Sequence, residues 1–139
     1  MCVHRIGDRT QVVCYDQQQG MYASRLWWTL RWLGHDAVAV LDGGWAKWTA
    51  EGRPVATAVP PPGTATFTRR ASAVAAVDVD AVVASLPVRS LLLIDARGPE
   101  RFRGEAEPLD PVAGHIPGAT NRPAAQNLNA DGTFKPSAT

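Results

Sequence analysis

Short unbroken apolar runs alternate along this chain with stretches of helical period. Gln11-Val12-Val13-Cys14-Tyr15 is a β-prone run that stops at Asp16. The polar loop Gln17-Gln18-Gln19-Gly20 follows. From near Tyr22 the apolar residues Ala23, Leu26, Trp27, Leu30 and Leu33 fall on one helical face, and Gly34 is placed to stop that helix. Ala37-Val38-Ala39-Val40-Leu41 is wholly apolar, the pattern of a parallel strand covered on both faces. Asp42-Gly43-Gly44 reads as a turn, and Trp45 to Glu51 as a short helix ended by Gly52. The order strand–helix–strand–helix over residues 11–52 is an α/β unit.

The pattern then breaks. Residues 53–66 have no period and contain Pro54, Pro60, Pro61, Pro62 and Gly63, which predicts an extended, fairly stiff linker. A second part begins near Phe67 and runs to residue 135. Asp78 to Leu86 reads as a helix with Val79, Val82, Val83 and Leu86 on one face. Ser90-Leu91-Leu92-Leu93-Ile94 reads as a buried strand that ends at Asp95-Ala96-Arg97. Gly98 to Gly114 is polar, Gly114-His115-Ile116-Pro117-Gly118-Ala119 is a tight turn, and the tail from Asn127 is polar with a turn at Asp131-Gly132.

Charge and cysteine content narrow the classes of function. Lys and Arg number 14 against 13 Asp and Glu, so there is no general basic surface for nucleic acid or anionic lipid. The two cysteines cannot build a disulfide framework or a four-ligand zinc site, and no metal or cofactor is expected. The first residues lack an apolar signal core, and no apolar run reaches membrane-spanning length. The expectation is a soluble, cytoplasmic protein.

Candidate chemistry is confined to a few places. A loop between a parallel strand and a helix lies where α/β proteins bind ligands, and the helix N-terminus offers free N–H groups to an anion. A cysteine opening such a loop would be an activated thiol, but this chain has Asp16, read as a capping or loop-ordering residue. Cys14 lies inside an apolar run and reads as an inert core thiol; nothing nearby in sequence organises Cys2. All five tryptophans fall between Trp27 and Trp48 at helical spacing, which predicts packing between helices and sheet. Arg97, Arg101 and Arg103 follow a strand end. They suit an anion, or equally the nearby carboxylates Glu100, Glu105 and Glu107. His115 reads as a structural histidine.

Together these motifs resemble one family. Val12 to Asp16, Ala23 to Trp28, Leu33-Gly34-His35, and Val40 to Trp45 with Trp48 resemble the second half of an N-terminal rhodanese repeat. Ile94 to Arg97, Arg101-Phe102-Arg103-Gly104 and Gly114 to Ala119 resemble the first half of the C-terminal repeat. The family is the tandem-repeat sulfurtransferases of thiosulfate or 3-mercaptopyruvate type. The resemblance implies an α/β fold with a parallel sheet and helices on both faces. It also implies sulfane sulfur transfer from a small anionic donor through a cysteine persulfide. It places Asp16 at the nucleophile-equivalent position of the inactive repeat and assigns donor binding to Arg101. The family's catalytic Cys loop occurs nowhere in the 139 residues, so the chain is expected to be inactive alone. A second arginine, common before the Gly-His-Ile-Pro motif, is also absent; Leu109 and Asp110 lie thereabouts. The pattern looks like the centre of a longer sulfurtransferase or a truncated product, and a non-catalytic rhodanese-like binding module is the competing reading. The halves could assemble into one permuted domain, pairing Arg101 with Asp16, or each could pair with another chain as a homo-oligomer. The first is favoured because a lone parallel strand exposes apolar faces and hydrogen-bonding edges.

Overall fold

The computed structural model describes residues 6–58, 61, 63–72 and 74–137. The helix and strand expectations are met in kind, and the observed elements are shorter. Strand β1 (Val12–Cys14) leads through helix α1 (Ala23–Trp32) to strand β2 (Val38–Val40), and helix α2 (Gly44–Ala50) follows. β1 and β2 are parallel, with Val12 opposite Val38 and Cys14 opposite Val40. This is the geometry that a strand–helix–strand crossover imposes.

The core of this unit is small. Cys14, Ala23, Leu30 and Val38 are buried, and Ile6, Val12, Trp27, Val40 and Phe67 pack against them. Ala23, Trp27 and Leu30 place one stripe of α1 on the sheet, as the helical period requires. Cover on the two faces of the strands is uneven: α1 packs closely on one, and Tyr15 on the other stacks on Trp45 of α2. Val13 and Tyr15, on the face away from α1, are about half exposed. On that face Val13, Tyr15, Leu41, Trp45 and Trp48 line an open apolar groove with Val55. The tryptophans pack less deeply than their spacing suggests. Trp28 stacks on Trp32, Arg69 lies over Trp32 and Arg53 over Trp48.

Residues 66–70 are tied to this unit. Thr66 accepts from the Asp8 N–H, Asp8 Oδ1 accepts from the Thr68 N–H at 2.7 Å, and the Arg70 N–H donates to Leu33. The buried His35 donates from Nε2 to the Thr10 carbonyl at 2.8 Å and tilts against Phe67. The compact unit therefore runs to Ala76 and also takes in Ala130–Pro136. Composition shows where a proline cluster ends, but not which later backbone returns to residues 8 and 33. Of the proline cluster itself, Val59, Pro60 and Pro62 lie outside the described residues.

Gly34 makes the return possible. It has φ +81, and a Cβ there would lie 2.7 Å from Arg70 Cβ and 2.9 Å from the Arg70 carbonyl carbon. Gly34→Ala combines an unfavourable left-handed backbone with a clash against main chain. We expect a loss of about 1–2 kcal/mol, measured as an earlier denaturation midpoint by tryptophan fluorescence.

The second unit comprises Val77–Asn129 with Ser137. Helix α3 (Val79–Ser85) starts at Asp78, whose carboxylate accepts from the Ala81 N–H at 2.9 Å, an ordinary N-cap. Strand β3 (Ile94–Asp95) is followed by helix α4 (Pro99–Arg103), strand β4 (Thr120–Asn121) and a 3-10 turn (Ala124–Asn127). β3 and β4 are parallel, Ile94 opposite Thr120. The strand read as buried is not: Leu92 is 80% and Ile94 59% exposed. Val79 and Val83 of α3 are exposed as well. An apolar run reports that a face is made to be covered, not that a cover is present.

β1 with β2 and β3 with β4 form separate two-stranded sheets. Each strand takes the partner one crossover away in sequence, which closes a short loop.

Candidate functional site

The loop after β1 is built around the carboxylate of Asp16. Oδ1 accepts from the N–H groups of Gln18 (2.9 Å) and Gly20 (2.8 Å). Oδ2 accepts from those of Tyr22 (2.7 Å) and Ala23 (2.8 Å). Two left-handed residues, Gln19 (φ 56) and Gly20 (φ 90), turn the chain so that these four donors converge on one point. The last two belong to the start of α1, where N–H groups lack helical partners and the helix dipole is positive. Asp16 thus orders the loop and caps the helix across the intervening turn. Burial pushes its pKa up, but the N–H groups of Ala23, Gly20, Tyr22 and Gln18 outweigh this and hold it below the usual carboxylate range.

Two further segments brace the loop. The Asp16 carbonyl accepts from the Trp45 N–H at 3.0 Å. A Cβ on Gly44 would come within 2.9 Å of that carbonyl, so the Gly43-Gly44 turn is part of the loop's support. Residues 130–136 lie over the loop. The Phe134 N–H donates to Asp42 Oδ1 at 2.7 Å, and Cβ atoms built on Gly20 and Gly132 would touch Phe134 and Gln19. In sequence this segment reads only as a polar tail; the isolated Phe134 is the one signal it carries.

The second cluster lies in the second unit. Arg97 binds Asp95 (Nη2 to Oδ2, 2.7 Å), the Gly114 carbonyl (2.6 Å) and Glu107 (3.1 Å). Arg101 donates to Glu107 through Nε (3.1 Å) and Nη2 (2.6 Å), and through Nη2 to Asp110 (3.1 Å). Arg103 pairs apart from these, with Glu105. Glu107 also accepts from the N–H groups of Leu109 and Asp110. Its side chain is 4% exposed, and the Arg101 hydrogen bonds, against the opposing effect of burial, bring its pKa to about 2. Spacing alone leaves an anion site and local carboxylate partners equally open for these arginines. The carboxylate partners are present, with Glu107 as the hub. Arg101 and Asp16 are each hydrogen-bonded inside their own unit.

His115 packs into this framework as a structural residue. Its Nδ1 is 2.7 Å from the Phe102 carbonyl and its ring stacks on Phe102 at 3.7 Å. Cys14 is 3% exposed and burial raises its pKa, so it is a poor nucleophile. Cys2 lies outside the described residues. Among the described residues no group of His, Cys, Asp and Glu could hold a metal ion, and no helix is long and apolar enough to cross a membrane.

Parallel strands joined by helices, with backbone N–H groups converging at a strand's C-terminal end, define the class as α/β. A rhodanese-like domain signature matches residues 3–51. The chain is 44% identical over 128 residues to a probable 3-mercaptopyruvate sulfurtransferase of Pseudomonas aeruginosa, covering 91% of this chain and 45% of that protein. It is 37% identical to human 3-mercaptopyruvate sulfurtransferase, over 94% of this chain and 45% of that one. The crystal structure of SseA, a 3-mercaptopyruvate sulfurtransferase of Escherichia coli, superposes with a TM-score of 0.78 at 30% identity, covering 94% of this chain and 49% of SseA. Residues 3–51 thus match a rhodanese-like domain, and nearly the whole chain is similar to rhodanese-like sulfurtransferases. The chain spans about half the length of the curated relatives it matches.

Proposed function

We propose that this chain is part of a cytoplasmic sulfurtransferase that moves sulfane sulfur from a small anionic donor, thiosulfate or 3-mercaptopyruvate, through a cysteine persulfide. In this reading Asp16 occupies the nucleophile-equivalent position of the inactive repeat, and Arg101 holds the donor anion. The observation that carries it is the set of four N–H groups around one side-chain terminus at Asp16. A persulfide enzyme needs such a cradle to stabilise a thiolate and the anion that replaces it. Here a carboxylate fills it, and a carboxylate cannot carry sulfur. The chemistry assigned to the family is balanced by two displacements. A thiolate attacks the outer sulfur of thiosulfate, an S–S bond forms as another breaks, and sulfite leaves. Cyanide or a thiol then takes the terminal sulfur and the thiolate is regenerated.

The test is Asp16→Cys with Asp16→Ser as control. The native chain should give no cyanide-dependent thiocyanate above a Cys2→Ser, Cys14→Ser double variant. In Asp16→Cys the alkylation rate should titrate below the ~8.5 of a free cysteine, and thiosulfate should leave the protein one sulfur atom heavier by intact mass. A thiol of ordinary pKa that takes up no sulfur would overturn the cradle assignment and favour a non-catalytic rhodanese-like module.

A further inference from the structure

We infer that Asp110 is a displaceable counter-ion on Arg101 that sets which anions the arginine accepts. The inference rests on the donor-binding role proposed for Arg101. The two carboxylates on this guanidinium are held differently. Glu107 is 4% exposed, takes both Nε and Nη2 of Arg101, and is pinned by the N–H groups of Leu109 and Asp110. It is a fixed part of the fold. The Asp110 side chain is 59% exposed and meets Arg101 through one oxygen, at 3.1 Å from Nη2. The same oxygen is 4.0 Å from Arg97 Nη1. Its backbone is anchored through its N–H to Glu107, so the side chain can swing into water without disturbing the loop.

Charge gives this arrangement its consequence. The guanidiniums of Arg97 and Arg101 face the carboxylates of Asp95, Glu107 and Asp110, two positive charges against three negative. An oxyanion that takes the Nη2 N–H held by Asp110 must displace that carboxylate, and it then feels the displaced charge nearby. Coulomb repulsion scales with the product of charges. A dianion such as thiosulfate is therefore penalised twice as strongly, in logarithmic terms, as a monoanion such as a 2-oxo acid. Asp110 biases the site toward singly charged carboxylate donors.

The experiment follows the Arg101 side-chain Nε–H resonance, or in Arg101→Ala the neighbouring amides, during titration with thiosulfate, sulfate and pyruvate at constant ionic strength. The full 139-residue chain is used as wild type, Asp110→Asn, Arg101→Ala and the double variant. Asp110→Asn should tighten pyruvate about threefold and the two dianions about tenfold, and adding Arg101→Ala should remove both gains. If Arg101→Ala weakens binding but Asp110→Asn leaves it unchanged, or tightens all three anions equally, this inference is overturned and the role of Arg101 stands. If Arg101→Ala has no effect in either background, or no variant binds any of the anions, the donor-binding role itself is overturned and the inference goes with it.

Discussion

Asp16→Ala should cost the first unit about 2–3 kcal/mol, more than an ordinary N-cap deletion. A usual cap satisfies one N–H; this carboxylate satisfies those of Gln18, Gly20, Tyr22 and Ala23 together. Alanine leaves them to whatever water can reach them, and Gly20 and Ala23 are buried. All five tryptophans lie between positions 27 and 48, within this unit, so fluorescence reports its unfolding selectively. Asp16→Asn should lose about half as much, because its amide keeps one accepting oxygen and turns an NH2 toward the remaining donors. The dependence on pH follows from the lowered pKa. Asp16 contributes its full stability above the ordinary value of 3.8 and loses it as pH falls toward the lower folded value. That acid loss should be missing in the alanine variant. If Asp16→Ala melts like wild type at neutral pH, the loop is held by its other contacts and the cradle is not under load.

Glu107→Gln should open the second unit's polar loop at neutral pH. Glu107 joins Arg97 and Arg101 to the backbone of Leu109 and Asp110, so its charge sits where separate segments meet. A glutamine would offer the guanidiniums one neutral oxygen and confront them with N–H donors. It would leave two partly buried cations short of a partner. Amide exchange at Leu109 and Asp110 should accelerate about tenfold or more. In the native chain the folded pKa of about 2 lies below the ordinary 4.5. The stabilisation is therefore complete above pH 4.5 and disappears as pH falls through about 2. Asp95, whose pKa is lowered chiefly by its hydrogen bonds to Arg97, shifts in the same direction. An NMR titration should show Leu109 and Asp110 losing protection across that window in the native chain. The glutamine variant should show no such transition; an acid transition that persists there would assign it to Asp95 instead.

Local chemistry alone determined a good part of this protein. The apolar period over Ala23, Trp27 and Leu30 specified α1, the runs around Val13 and Ala39 specified parallel strands, and Asp78 specified the start of α3. These depend on neighbours within a few residues, which a sequence displays directly. The position of Asp16 at a strand end, ahead of a glycine and a helix, also made it legible as an ordering residue before its partners were known. The resemblance to the rhodanese repeats rested on several such local motifs in a fixed order. The rest depended on tertiary contacts. That Val13, Leu92 and Ile94 stay exposed follows from which face another element covers, and an apolar strand reads the same with or without its cover. The return of Arg70 to Leu33 and of Phe134 to Asp42 joins residues far apart in the chain, with no local pattern to announce it. Three carboxylates were near enough in sequence to serve the arginines, and helix and loop geometry selected Glu107 for Arg97 and Arg101 and Glu105 for Arg103. Sequence fixes which charges are available; only the folded backbone fixes which of them can reach one another at hydrogen-bonding distance, and electrostatic energy depends on that distance.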